Sequence, residues 1–237
     1  MIDPHEKSTE GSDSPESEFG FARVAPDVLL DGRLVIFHEK EKWMAVSDLH
    51  FGYEVSRRRD GGLWPLWGMQ SIRDRLAGAI ARWAPHKLIL VGDIVDSAAA
   101  PKEAIQWLES VQELGPEMIL IAGNHDRGSV RRHFPFVDTH REGHYFFHHG
   151  HQPRDLPSLA TIEVHGHIHP SIRFGDGAGT SLKLPIFTRE KVPEGNRETW
   201  TLPAFSPWAG GHPCGPRNEA HPFTRWACGG HRVFEVR

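Results

Sequence analysis

Cysteine is scarce: the 237-residue chain holds two, Cys214 and Cys228, both late in the sequence. That excludes the dense disulfide framework of small secreted domains and fits two free thiols in a reducing compartment. Long apolar runs are also missing. No segment approaches the roughly 20 residues that a membrane helix needs, and no apolar signal segment follows Met1, so a cytoplasmic protein with no membrane partner is expected. Strong charge of one sign is absent as well. A formal net charge of −4 gives no broad basic footprint for nucleic acid.

Most of that charge lies at one end. Asp3, Glu6, Glu10, Asp13, Glu16 and Glu18 stand against Lys7, a net of −5 that leaves +1 for the remainder. The stretch "EKSTEGSDSPESEFG" has nothing to bury, so residues 1–20 read as a disordered acidic extension and 21–237 as a single domain. What the chain does have in excess is histidine, 17 residues, alongside 8 tryptophans. His212, His221 and His231 lie near the cysteines, but their spacing matches no standard zinc pattern.

Short apolar runs at 33–38, 42–50, 87–93, 117–126, 144–151 and 160–167 read as strands. Between them, Met69, Ile72, Leu76, Ile80 and Trp83 repeat at helical spacing, as do Ile105, Leu108 and Val111 behind Pro101, a residue suited to a first helical turn. The alternation predicts an α/β fold with a parallel or mixed sheet, and ligands in such sheets bind beyond the carboxyl ends of the strands. After residue 175, "SLKLPIF", "TWTLPAF" and "RVFEVR" suggest antiparallel strands of a second sheet.

The strand ends carry the unusual chemistry: Asp48 and His50 in "SDLH", Asp93 in "GDIVD", Asn124, His125 and Asp126 in "GNHD", His149 in "HHGH", and His167 and His169 in "GHIH". Any one of these is an ordinary turn, since Gly, Asn and Asp supply turn geometry without chemistry. Five in succession bring seven oxygen and imidazole donors to one edge, enough for two ions if a carboxylate bridges them, and Asp93 behind Gly92 is the natural bridge. Two divalent ions, two carboxylates, neutral donors and one hydroxide leave a net charge of about +1, which attracts an anion. Mixed donors favour manganese, with iron or zinc as alternatives, over magnesium.

In order and type these blocks resemble the calcineurin-like metallophosphoesterases, whose signature is D-x-H, GD, GNH-D/E, a lone His and GH-x-H. The resemblance implies two packed β-sheets, a β-sandwich, flanked by α-helices. It implies one ion on Asp48, His50, Asp93 and His169 and another on Asp93, Asn124, His149 and His167. His125 would protonate the leaving oxygen, with Asp126 orienting its ring. "FFHHGHQP" offers His148, His149 and His151 for the lone-His block, and His149 is chosen because it stands before Gly150. His165 precedes the glycine of its block and is either packed or a support to the site. Asp96 is either a support or a surface turn residue.

"SDLHFGYE", "GHIHPSIRF", "LKLPIF" and "LPAFSPWAGG" are similar to a narrower group, the ligase-associated DNA damage response endonucleases of PdeM type. The expected activity is hydrolysis of a phosphate ester by attack of a metal-bound hydroxide, most directly as a phosphodiesterase or nuclease. A nucleotide or small-molecule phosphatase or pyrophosphatase, and a non-catalytic scaffold, are the rival readings. The partner expected is a phosphate ester, with nucleic acid a candidate. Arg57, Arg58 and Arg59 with Trp64 and Trp67 suit backbone contact and base stacking, although a solvated loop with two core tryptophans is the favoured reading. Arg131 and Arg132 read as a solvated helix face.

Overall fold

Runs of Val, Ile, Leu and aromatic residues bounded by turn formers become strands in the computed structural model, which describes residues 20–97, 100–192, 196–214 and 223–236. The acidic extension expected over 1–20 thus lies, apart from Gly20, outside the described residues, and so does His221. β1 (Phe21–Ala25), β2 (Val28–Asp31), β3 (Val35–His38) and β4 (Trp43–Val46) form an antiparallel meander. β5 (Lys87–Val91), β6 (Glu117–Ile121) and β7 (Phe136–Val137) extend the same sheet in parallel from β4.

Parallel neighbours need crossovers. They are supplied by α1 (Tyr53–Arg59) and α2 (Gly68–Trp83) before β5, α3 (Pro101–Glu113) before β6, and α4 (Ser129–His133) before β7. Pro101 opens α3 as its sequence suggests, and α2 stops at Ala84, where the following Pro85 disfavours further helix. Residues 53–59, read above as part of a loop, are helical; seven residues ending in an arginine run carry too little apolar periodicity to reveal it.

The second sheet runs in the order β14 (His212–Pro213), β11 (Pro170–Gly175), β12 (Ser181–Val192), β13 (Arg197–Thr201), β10 (Ile162–His165), β9 (Tyr145–His148) and β8 (Thr139–Glu142). β15 (Phe223–Gly229) also pairs with β12, and β16 (Arg232–Val236) with β15. This is the two-sheet α/β architecture expected from the sequence. Trp43 of β4 packs edge-on against Tyr145 and Phe147 of β9 at 4.8 and 5.3 Å, and Phe187 meets Trp200 at 5.6 Å. Ile72, Leu76 and Ala79 of α2 and Trp107 and Leu108 of α3 join the same core. Each such large aliphatic side chain, fully buried, contributes about 1.5–3 kcal/mol.

The apolar runs stop short of the residues with chemistry: β4 ends at Val46, β5 at Val91 and β6 at Ile121. The reason lies in the backbone. Asp48, His50, Asp93, His167 and His169 all have positive φ, between 47° and 67°, which no strand accommodates.

Candidate metal centre

Parallel pairing of β4, β5 and β6 brings their carboxyl ends side by side, and parallel pairing of β9 with β10 does the same in the second sheet. The turns beyond them are sewn together by main-chain bonds. Asp48 N–H donates to the Gly92 carbonyl (3.1 Å), His50 N–H to the Asp93 carbonyl (2.9 Å) and Gly166 N–H to the His149 carbonyl (3.1 Å). Phe205 and Ser206 N–H donate to the carbonyls of Ser47 and Asp48, both at 2.9 Å, tying one sheet's turn to the other's.

Side chains of the seven donor residues converge there. His169 Nε2 lies 3.0 Å from Asp48 Oδ1 and 3.3 Å from His50 Nε2. His149 Nε2 lies 3.3 Å from Asp93 Oδ2 and 3.2 Å from Asn124 Oδ1. His50 Nε2 lies 3.9 Å from the same Asp93 oxygen. Donor atoms of Asp48, His50 and His169 form one group compact enough for an ion, those of Asp93, His149 and His167 form another, and those of His50, Asp93 and His125 form a third that overlaps both. Of the three histidines in the lone-His block, His149 is the one in this group; His148 pairs with Glu163 at 2.7 Å, and the His151 ring is 5.3 Å from that of His149.

Close approach demands glycine at three of these turns. A Cβ on Gly92 would enter the His149 imidazole, one on Gly123 would enter the Asp93 carboxylate, and one on Gly166 would enter the Asp48 carboxylate. Five left-handed non-glycine residues at a single edge cost of order 1–3 kcal/mol each, strain that persists only where other interactions hold it.

Burial opposes ionisation of Asp93, yet the hydrogen bond and charge of His149, the His125 N–H and the charge of His50 hold its pKa at about 2. Burial likewise opposes ionisation of Asp48, and His169 outweighs it, so this carboxyl too is lowered. His50 and His167 are pushed down by burial. His149 loses stability as a cation on burial but is raised overall by Asp93 and Asp48. Ionised carboxylates, with His50 and His167 shifted toward the neutral imidazole, are the forms that metal binding needs. His50 Nδ1 is buried without a hydrogen-bond partner, and two ring nitrogens face each other at 3.3 Å. This donor set fits divalent ions.

His125 sits against the centre, Nε2 4.0 Å from Asp93 Oδ2, and its Nδ1 meets the Asp96 carbonyl at 2.9 Å. The expectation that Asp126 orients this ring is corrected. The Asp126 carboxylate accepts Ile94 N–H (2.9 Å), Val95 N–H (3.0 Å) and Gly123 N–H (2.8 Å), turning inward to staple the two turns. Three main-chain donors across the turn outcompete the ring of the adjacent residue. Asp96 takes the place against the histidines, its Oδ1 3.8 Å from His125 Nδ1 and 3.7 Å from His50 Nδ1. His165 is buried between the Gly166 carbonyl and the Thr201 hydroxyl, so it is a packed histidine.

The cleft at the centre is also lined by Tyr53, Arg57, Ser206 and Trp208. Trp208 meets Trp64 at 5.1 Å and Trp67 at 4.4 Å, and Trp64 meets Tyr53 at 5.3 Å. Trp67 is 48% exposed, so it is a rim residue and not the core tryptophan favoured from sequence. Arg58, Arg59, Arg131 and Arg132 point to solvent. Cys214 and Cys228 are free thiols, and among the described residues neither belongs to a metal-competent cluster.

Fold and site together define a metal-dependent phosphoesterase, a hydrolase acting on phosphate esters. The chain matches the profile of the calcineurin-like phosphoesterases over residues 42–232 and belongs to that family, whose members use divalent metals. Among solved structures it is similar to the nuclease MPE of Pseudomonas putida, with 20% identity, a TM-score of 0.67 and coverage of 92% of this chain and 100% of that one. It is also similar to the phosphoesterase Yfce of E. coli, with 19% identity, a TM-score of 0.46 and coverage of 82% and 97%. No curated protein matches it at a significant level. Among the described residues no helix is long and apolar enough to cross a membrane.

Proposed function

We propose that Asp48, His50, Asp93 and His169 hold one divalent ion and Asp93, Asn124, His149 and His167 a second, in a cytoplasmic phosphodiesterase or nuclease of PdeM type carried by one domain, 21–237. The observation that supports this most is the pair of donor groups, Asp48/His50/His169 and Asp93/His149/His167, set on adjoining turns with His125 alongside. Manganese suits the mixture of carboxylate, amide and imidazole donors, with iron or zinc as substitutes. Bound there, such ions supply Lewis-acid charge and lower the pKa of a water that attacks phosphorus.

The chain's own residues do the rest. Asp93, reaching both groups, fixes their relation. The Asp96 carbonyl accepts a hydrogen bond from His125 Nδ1–H, which leaves Nε2 on the cleft side. In the doubly protonated ring Nε2–H delivers its proton to the departing oxygen, and the ring is left as neutral imidazole. The fold shared with the nuclease MPE of Pseudomonas putida adds support for a diester substrate.

The test is manganese-dependent hydrolysis of bis-p-nitrophenyl phosphate, with p-nitrophenyl phosphate alongside and Asp93→Asn as control. Diester cleavage that the variant lacks is expected. Cleavage of the monoester alone would transfer the assignment to a phosphatase, and no turnover by protein carrying its full metal complement would overturn the diesterase reading.

A further inference from the structure

A second cavity, of about 250 Å³, adjoins the metal centre and shares His169, Ser206, Ala209 and Gly210 with the cleft there. Its lining includes two cations, Arg75 from α2 and Lys183 from β12, and the hydroxyl residues Ser171 and Ser206, but no Asp or Glu. Both cations lean on the same loop. Arg75 donates to the Phe205 carbonyl and stacks 4.0 Å above the Phe205 ring. Lys183 donates to the carbonyls of Gly210 and Gly211, the latter at 2.6 Å.

Those acceptors are neutral, and among the described residues no carboxylate pairs with either cation. Arg75 is half-buried, its Nε has no hydrogen-bond partner among the described residues, and burial pulls its pKa down to about 10, which still leaves it charged at neutral pH. Holding a desolvated cation without a counter-ion is costly, and an apolar residue would tie the loop at less expense. An arginine and a lysine around a hollow are the usual equipment for a phosphate group. At about 250 Å³ the cavity falls below the roughly 300–1,000 Å³ of pockets for drug-sized ligands.

We propose that this cavity is a second phosphate subsite, taking the phosphate that neighbours the one at the metal centre. The inference rests on the phosphoesterase reading for the first phosphate. It makes the preferred substrate one with two phosphates, separated by His169 and Ser206, and it gives Arg75 and Lys183 a role in selectivity that a plain loop clamp lacks.

The experiment is calorimetric titration of the manganese-loaded full-length protein with thymidine 5′-monophosphate, thymidine 3′,5′-bisphosphate and thymidine 5′-diphosphate. The additional phosphate is expected to tighten binding about tenfold, the size of one good charge-assisted contact. Lys183→Met, at an exposed position, and Arg75→Gln should each remove most of that gain. Gain with the sugar-spaced bisphosphate identifies a nucleic-acid backbone as the source; gain with the anhydride-linked pair identifies a nucleotide di- or triphosphate.

Equal affinity for one and two phosphates in the wild type, or a gain untouched in both variants, would overturn the subsite. The ratio also separates it from a structural role, since loosening the loop weakens all three ligands alike. Turnover of bis-p-nitrophenyl phosphate is read separately. Loss of that turnover with the ratio intact removes the diesterase and leaves the subsite, whereas turnover without the ratio does the reverse.

Discussion

His125 is more open than two of its neighbours at the centre: its side chain is 38% exposed, against 9% for His50 and 0% for His149, while His167 is exposed. His125 Nδ1 is held by the Asp96 carbonyl and its ring lines the cleft, so it and the ion-binding residues should fail differently on truncation. Asp93→Asn is expected to lose metal and turnover together. His125→Ala should keep its metal while turnover of an alkyl ester falls about 10²–10⁴-fold, and less for a p-nitrophenyl ester, whose leaving group needs little protonation. Metal analysis beside kinetics decides, and equal metal loss in both variants would sink the division. Asp126 belongs to neither kind. Removing its carboxylate in Asp126→Ala orphans three main-chain N–H groups, a loss of roughly 3 kcal/mol or more at about 1–3 per buried group, visible as a lower urea midpoint; Asp126→Asn, which keeps one acceptor oxygen, should recover part of it. Residue types at successive strand ends marked the seven residues that the fold brings together, and the family resemblance singled out His125 beside them. Neither was enough to separate Asp96 from Asp126, because which way a carboxylate turns depends on main-chain donors supplied by a different strand end.

Turns make the site, and one of them shows how. Gly92 has φ 74° and Gly115 has φ 105°, so alanine is strained at both, but only Gly92 has a neighbour in the way, the His149 ring; nothing lies within 4 Å of a Cβ on Gly115. Gly115→Ala should therefore cost only backbone strain, about 1 kcal/mol, with metal affinity unchanged. Gly92→Ala must displace His149 and should weaken retention of the ion it helps hold at least about tenfold, a change worth some 1.4 kcal/mol. Manganese titration of the two variants tests this, and matched affinities would mean that His149 does not need its position. The same scale explains what the sequence hid. The apolar runs of β4, β5 and β6 and the periodicity of α2 and α3 were visible because each buries a regular face. Trp208 was not, since its partners Trp64 and Trp67 lie some 140 residues earlier and no local pattern marks residues that meet only at the rim of a cleft.

Across the whole molecule the donors divide between the sheets. Asp48, His50, Asp93 and Asn124 follow strands of the first, and His149, His167 and His169 follow strands of the second. Ions held by both groups would act as a clasp between the layers, added to the Ser47–Ala204 bridge and the main-chain bonds from Phe205 and Ser206. Binding to the folded state alone stabilises it by about 2.7 kcal/mol per ion at a hundredfold excess over Kd, and for a chain of this size each kcal/mol moves Tm by roughly 2–4 °C. Manganese should therefore raise Tm by roughly 5–10 °C for each ion, and a chelator should reverse the rise. The rise should shrink in variants from either side of the clasp, Asp48→Asn in the first sheet and His167→Ala in the second, because either loss removes a ligand that one layer supplies to an ion. If only first-sheet variants lose the shift, the ions sit on that sheet alone and the second contributes packing without ligation; scanning calorimetry of the two variants with and without manganese distinguishes the cases.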